Sequence, residues 1–253
     1  MDWHLNPYLI DVQDDVRTAF GWSYQDDFLS AKNMADAMNS SSPYGRIDWN
    51  EASRWASLVQ LVKRLHDAKR ILCVGANVDA HILLDSIGPH DVLLAADGAV
   101  GACLDSPSLV GVFSDGDGGV FLERAAQLGV PIILHAHGDN QETWNTLLNT
   151  WSTFERAPSL ILTHQTREKI SGLYNFGGFT DGDRLICFLM ALNIPIQNLV
   201  LVGYSTEKIG QWSGVTNPPL KLQKLKWMKV ILNSLGLLID ETGGKEIHTN
   251  IEL

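Results

Sequence analysis

Cysteine is scarce: Cys73, Cys103 and Cys187 are the three in 253 residues, each inside an apolar stretch and none in a CxxC pair. That spacing supports neither a zinc knuckle nor a disulfide framework, so buried, inert thiols in a reducing compartment are expected. Long apolar runs are absent too, and nothing approaches the roughly 18 residues that would cross a bilayer. The opening MDWHLNPYLIDVQDD has neither the basic start nor the apolar core of a signal peptide. A cytoplasmic protein with no membrane partner is expected. There is no basic stripe either. A net charge of −10 excludes a nucleic-acid surface, because nothing offsets phosphate repulsion. An acidic chain binds a nucleotide only with a cation between its carboxylates and the phosphates, helped by local Lys or Arg. Also missing are internal repeats, low-complexity tracts, a GxGxxG fingerprint and the GK[ST] of a P-loop.

What is present falls into two parts. Residues 1–66 carry four of the eight tryptophans (Trp3, Trp22, Trp49, Trp55) and helical patterning, with one polar break at Asn39–Pro43. Asp48 is placed to cap a helix starting at Trp49, with Leu58, Leu61, Val62 and Leu65 on one face. This reads as a small helical N-terminal subdomain. Residues 67–253 read as a second unit of short apolar runs alternating with helical stretches. Strands are expected at 70–74, 92–96, 109–113, 131–134, 160–163 and 198–202. Helices are expected near 79–86, 119–128, 141–151, 182–192 and 220–236. Continuous rather than alternating apolar runs are the mark of strands covered on both faces. The fold class is therefore α/β: a Rossmann-like, mainly parallel sheet with helices on both faces, whose ligands bind beyond the carboxyl ends of the strands.

Chemistry concentrates at those ends. After the first strand, Gly75 and Asn77 sit in a turn where a glycine lets backbone N–H groups approach a phosphate. After the second comes Asp97-Gly98. After the third, Ser114-Asp115-Gly116-Asp117-Gly118-Gly119 spaces two carboxylates to face one hard cation. The fourth ends in His135-Ala136-His137-Gly138-Asp139-Asn140, two imidazoles that metal, phosphate or substrate would each suit. A later cluster, Gly177-Gly178-Phe179-Thr180-Asp181-Gly182-Asp183-Arg184, offers close ligand approach, a helix cap at Thr180 or Asp181, and a guanidinium fork. Five aspartates on one rim, Asp97, Asp115, Asp117, Asp139 and Asp183, repel one another unless a cation such as Mg²⁺ sits among them.

Together AADGA (95–99), SDGDGG (114–119), HAHGDN (135–140), GGFTDGDR (177–184) and VGYS (202–205) resemble the archaeal 6-hydroxymethyl-7,8-dihydropterin pyrophosphokinase family, relatives of the thiamine pyrophosphokinase catalytic domain. HAHGDN and FTDGDR are the specific matches. The chain departs from the family at GANVDA (75–80), where a Gly-rich stretch ending in Pro-Ser is usual, and at Gly116, where an apolar residue is usual. The resemblance implies transfer of a diphosphate from ATP to the hydroxymethyl group of a reduced pterin, releasing AMP, in folate- or methanopterin-type cofactor synthesis. It implies Mg²⁺ on Asp115 and Asp117, with Asp97 or Asp183 assisting. His137 or Asp139 would orient or deprotonate the acceptor hydroxyl, and Arg184 would neutralise charge on the β-phosphate. ATP and pterin would meet Gly75, Asn77, Asp97, Gly98, Gly178, Phe179, Thr180 and Asp181, with Lys221 and Lys224 as further phosphate partners. A thiamine pyrophosphokinase-like enzyme with another acceptor, a metal hydrolase using His135 and His137, and a non-catalytic nucleotide-binding module are the rival readings. Self-association into a homo-oligomer is left open.

Overall fold

The computed structural model describes residues 3–214, 217–237 and 239. Six strands, β1 (Arg70–Val74), β2 (Asp91–Ala96), β3 (Leu109–Ser114), β4 (Ile132–Ala136), β5 (Leu160–His164) and β6 (Leu199–Val202), form one sheet in the order β5-β4-β3-β2-β1-β6. Every pairing is parallel. The chain therefore starts in the interior of the sheet, winds outward to β5, and returns to lay β6 on the other side of β1. Strand order reverses between β1 and β6, which is where a crevice opens in sheets of this kind.

The apolar runs bury both strand faces. Leu72 and Val74 point into one core and Ile71 and Cys73 into the other, the period-two alternation of a strand. Helices α2 (Tyr24–Met38), α4 (Ala80–Ser86), α5 (Gly119–Gln127) and α6 (Gln141–Ser152) cover the first face. Helices α3 (Glu51–Asp67), α7 (Asp181–Ala191) and α8 (Pro218–Ser234) cover the second, and α1 (Pro7–Phe20) packs outside α7 and α8 through Leu9, Val12 and Val16. The N-terminal helices thus spread over both layers. The start of α3 corrects one expectation. Asn50, not Asp48, caps it by accepting from Ser53 N, and α3 begins at Glu51. Asp48 instead pairs with Arg46, while Trp49 is buried with its indole N–H on Pro158 O. The apolar face of α3 is as expected: Leu58, Leu61, Val62 and Leu65 are all buried. Among the described residues no helix is long and apolar enough to cross a membrane.

Candidate active site

Because all six strands run the same way, every strand-end turn lies on one rim. Two clefts open there. The first lies at the strand-order reversal, is bordered by Gly75, Asn77, Gly98, Gly203 and Lys208, and encloses about 590 Å³, part of it open to solvent. Its walls are backbone held close by hydrogen bonds from Asn77 N to Gly203 O (2.9 Å) and from Trp212 N to Ala76 O (3.0 Å). Glycine is required at Gly203, whose φ is +69° and where a Cβ would lie 2.2 Å from Val78 N. The second cleft is bordered by Trp22, Phe179, His135, His137, Gln165 and Arg184. Thr180, Asp181 and Lys221 border both, so the clefts share a wall.

The carboxylates gather at that wall. Asp97, Asp115, Asp117 and Asp181 each offer an oxygen, and the four oxygens lie within 4.8 Å of one another. Asp97 reaches in from a left-handed backbone position (φ +49°) that aspartate tolerates, and Ser114 Oγ donates to its Oδ1 at 2.5 Å. Gly118 stands where any side chain would strike that same Oδ1. Asp115 is held by its backbone, since Asn140 Nδ2 ties Asp115 O (2.8 Å) to His135 O (2.7 Å). His137 Nε2 lies 3.1 Å from Asp115 Oδ2, and His137 Nδ1 lies 2.5 Å from Asp139 Oδ1.

Electrostatics follow from this crowding. Burial, and then the charges of Asp181, Asp117 and Asp115, push Asp97 well above the ordinary carboxylate range. Asp181 rises likewise, through burial and then Asp115 and Asp117, and Asp117 rises through burial and then Asp115. Asp115 goes the other way: burial would raise it, but the His137 hydrogen bond and charge hold it low. Burial would lower His137, yet its bonds to Asp115 and Asp139 lift it to about 9. Four hard oxygen donors that repel one another are the donor set that suits Mg²⁺ or a similar cation, and they fit such an ion without any imidazole.

No family model matches the chain. Over 152 residues, 56% of this chain, it is 34% identical to the 6-hydroxymethyl-7,8-dihydropterin pyrophosphokinase of Pyrococcus furiosus. Over 195 residues, 70% of this chain, it is 27% identical to the protein of the same name from Methanocaldococcus jannaschii. The chain is a relative of the archaeal 6-hydroxymethyl-7,8-dihydropterin pyrophosphokinases. The match spans 61% of the Pyrococcus protein, under two thirds of its length, and 78% of the Methanocaldococcus one. A shorter stretch of 116 residues is 28% identical to acyl-protein thioesterase 1 of Schizosaccharomyces pombe, covering 52% of that protein. The chain lacks the Gly-x-Ser-x-Gly turn by which many esterases present a nucleophilic serine.

Set beside these pyrophosphokinase relatives, the residues expected from sequence divide as follows. Gly75, Asn77, Asp97, Gly98, Thr180, Asp181 and Lys221 border the reversal cleft. Asp115, Asp117, His137, Phe179, Arg184 and Lys224 border the aromatic one, where the Lys224 ammonium sits 5.5 Å from the centre of the Trp22 ring. Asp183 is elsewhere. It is fully buried and closes a capping box at the start of α7, accepting from Phe179 N, from Thr180 N (3.0 Å) and from Thr180 Oγ1 (2.7 Å). Asp181, two positions earlier, takes the place in the carboxylate cluster given to Asp183 by sequence. Gly178 borders neither cleft; its N–H donates to Leu9 O and its carbonyl accepts from Gln13 Nε2, joining the turn before α7 to α1. The Asp139 side chain is 80% exposed and meets the site through its bond to His137 and the charge of Lys224.

Sequence reading missed Trp22, Gln165 and Asp27. Asp27 on α2 accepts from Gly138 N (2.8 Å) with one oxygen, and from Gln165 Nε2 (2.7 Å) and Arg17 Nη1 (2.9 Å) with the other. Gln165 Oε1 in turn receives Arg184 Nη2, and Arg184 Nε donates to Phe179 O. One buried carboxylate therefore braces both the HAHGDN turn and the arginine.

Proposed function

We propose that this chain is a Mg²⁺-dependent diphosphotransferase that moves the β,γ-diphosphate of ATP to the hydroxymethyl group of 6-hydroxymethyl-7,8-dihydropterin, releasing AMP, in folate- or methanopterin-type cofactor synthesis. The observation that carries this reading is a carboxylate quartet on the wall between two clefts, in a relative of enzymes named for this pterin. The reversal cleft, walled by backbone and glycine, suits the nucleotide; the cleft holding Trp22 and Phe179 suits a flat heterocycle. The acceptor's hydroxymethyl oxygen bonds to the β-phosphorus as the bond from that phosphorus to the α,β-bridging oxygen breaks. AMP keeps the bridging oxygen, and the hydroxyl proton is released to water.

Such a transfer asks a protein for positioning and charge neutralisation more than for covalent chemistry. Asp97, Asp115, Asp117 and Asp181 would hold Mg²⁺, which when bound supplies charge neutralisation to the phosphates. Lys221, on the shared wall, and Lys224 and Arg184, on the acceptor side, add positive charge along the path of the diphosphate. His137, with both nitrogens engaged and its proton firmly held, orients Asp115 and takes no proton from the acceptor. The same engagement disfavours a hydrolase that would use His135 and His137 as metal ligands. The test is to incubate the purified protein with the pterin, ATP and Mg²⁺, and to follow AMP and pterin diphosphate. Products formed in step and lost with EDTA are expected. ATP binding without AMP would sink the reading, and thiamine would be the next acceptor tried.

A further inference from the structure

His135 is 98% buried at the end of β4 and borders the aromatic cleft, where its Nε2 has no hydrogen-bond partner among the described residues. An unpaired buried polar atom is costly and calls for an explanation. The other side of the ring bears on what this atom offers. We assign the single Thr163 Oγ1 proton to Leu134 O (3.3 Å), which makes the 3.0 Å bond between that hydroxyl and His135 Nδ1 one in which the imidazole N–H donates. The ring is then the tautomer whose Nε2 carries a lone pair. Burial and the nearby charges of Arg184 and His137 hold it neutral. Its polar neighbours are committed elsewhere: both amide atoms of Gln165 are taken by Asp27 and Arg184, and both nitrogens of His137 by Asp115 and Asp139. Among these histidine and glutamine side chains, the nitrogen or oxygen with no partner is His135 Nε2.

We propose that His135 Nε2 accepts a hydrogen bond from a ring N–H of the heterocycle seated in the cleft that Trp22 and Phe179 border, and thereby selects which heterocycles the cleft admits. This rests on the pterin reading above. A reduced pterin carries N–H donors on its ring, whereas an aromatic molecule without one leaves the buried acceptor unpaired and is rejected. His135 is then a recognition residue for the acceptor substrate, separate from the carboxylates that handle phosphate.

The experiment compares the full-length wild type with His135→Phe and His135→Gln. Pterin affinity is measured by fluorescence, pterin KM and kcat by AMP release, and ATP affinity by calorimetry. His135→Phe keeps the shape and removes the acceptor. It should weaken pterin binding about tenfold to hundredfold while ATP affinity holds. His135→Gln, whose Oε1 reaches where Nε2 lies, should recover part of the loss. Unchanged pterin affinity in a folded His135→Phe variant overturns the proposal, as does an equal loss of ATP affinity. Should His135→Phe not fold, His135→Gln is compared with His135→Asn, whose shorter amide stops short of the Nε2 position; equal pterin affinity overturns the proposal. Wild-type protein that makes no pterin diphosphate removes the functional reading beneath it, whereas wild-type turnover with an unaffected His135→Phe variant removes the proposal alone.

Discussion

Asp181 and Asp183 are two residues apart, yet the structure gives them different partners, and exchanging each for asparagine separates their roles. Without a cation the quartet of Asp97, Asp115, Asp117 and Asp181 is self-repelling. Removing the charge of Asp181 should therefore leave metal-free stability unchanged or raise it. Mg²⁺ at about 100 times its Kd stabilises the folded state by about 2.7 kcal/mol. For a chain of this size that is a rise in Tm of about 5–11 °C. Asp181→Asn should abolish most of that rise. Asp183 lies outside the quartet, but it accepts three hydrogen bonds at the start of α7 from a fully buried position. An asparagine there turns an amide donor toward a backbone donor, at a cost of about 2–3 kcal/mol. Its Tm should fall by about 4–12 °C, while the increment from Mg²⁺ persists. Thermal melts with EDTA and with a Mg²⁺ titration read both quantities. A Mg²⁺ increment that survives Asp181→Asn, or vanishes in a well-folded Asp183→Asn, refutes the assignment of the cation to the quartet.

Two further outcomes are expected. His137 is raised to about 9 in the folded protein, so its stabilising contribution is complete below the ordinary histidine range and is lost as pH rises through about 9. In EDTA, denaturant melts should show stability falling by about 2–3 kcal/mol between pH 7 and 10, and His137→Gln should remove that slope; an equal slope in the variant refutes the imidazolium assignment. Asp27→Asn should cost about 1–3 kcal/mol in denaturant melts and lower kcat by about tenfold through the loosened HAHGDN turn and Arg184. ATP affinity should be spared, and an unchanged kcat would show that the brace does not reach the reaction.

The sheet was legible because its strands are unbroken apolar runs and five of the six strand ends are followed within two residues by Gly or Asp, β5 being the exception. The six strands fall within a residue or two of their expected bounds, and the acidic rim follows from parallel pairing alone. The cap of α3 was misplaced because Asp48 and Asn50 are both good capping residues, and the choice between them was made by Arg46 and by burial of Trp49. The exchange of Asp181 for Asp183 had a readable signal: Thr180 followed three positions later by Asp183 is the spacing of a capping box, which commits the second carboxylate to the helix. Trp22 and Asp27 had no such signal. Asp27 meets Gln165 across 138 positions of sequence, and nothing local to either residue encodes that meeting. Nor does HAHGDN reveal which imidazole is held between two carboxylates and which has a ring nitrogen without a partner among the described residues.

The wall common to the two clefts also bears on kinetics. A doorway on each side means that neither molecule must pass through the space the other occupies. On the proposed reading, both substrates are bound together before any bond changes, and the diphosphate crosses directly from one to the other without a covalent stop on the protein. Initial rates would then form intersecting rather than parallel double-reciprocal lines. AMP would compete with ATP and leave the pterin's doorway open.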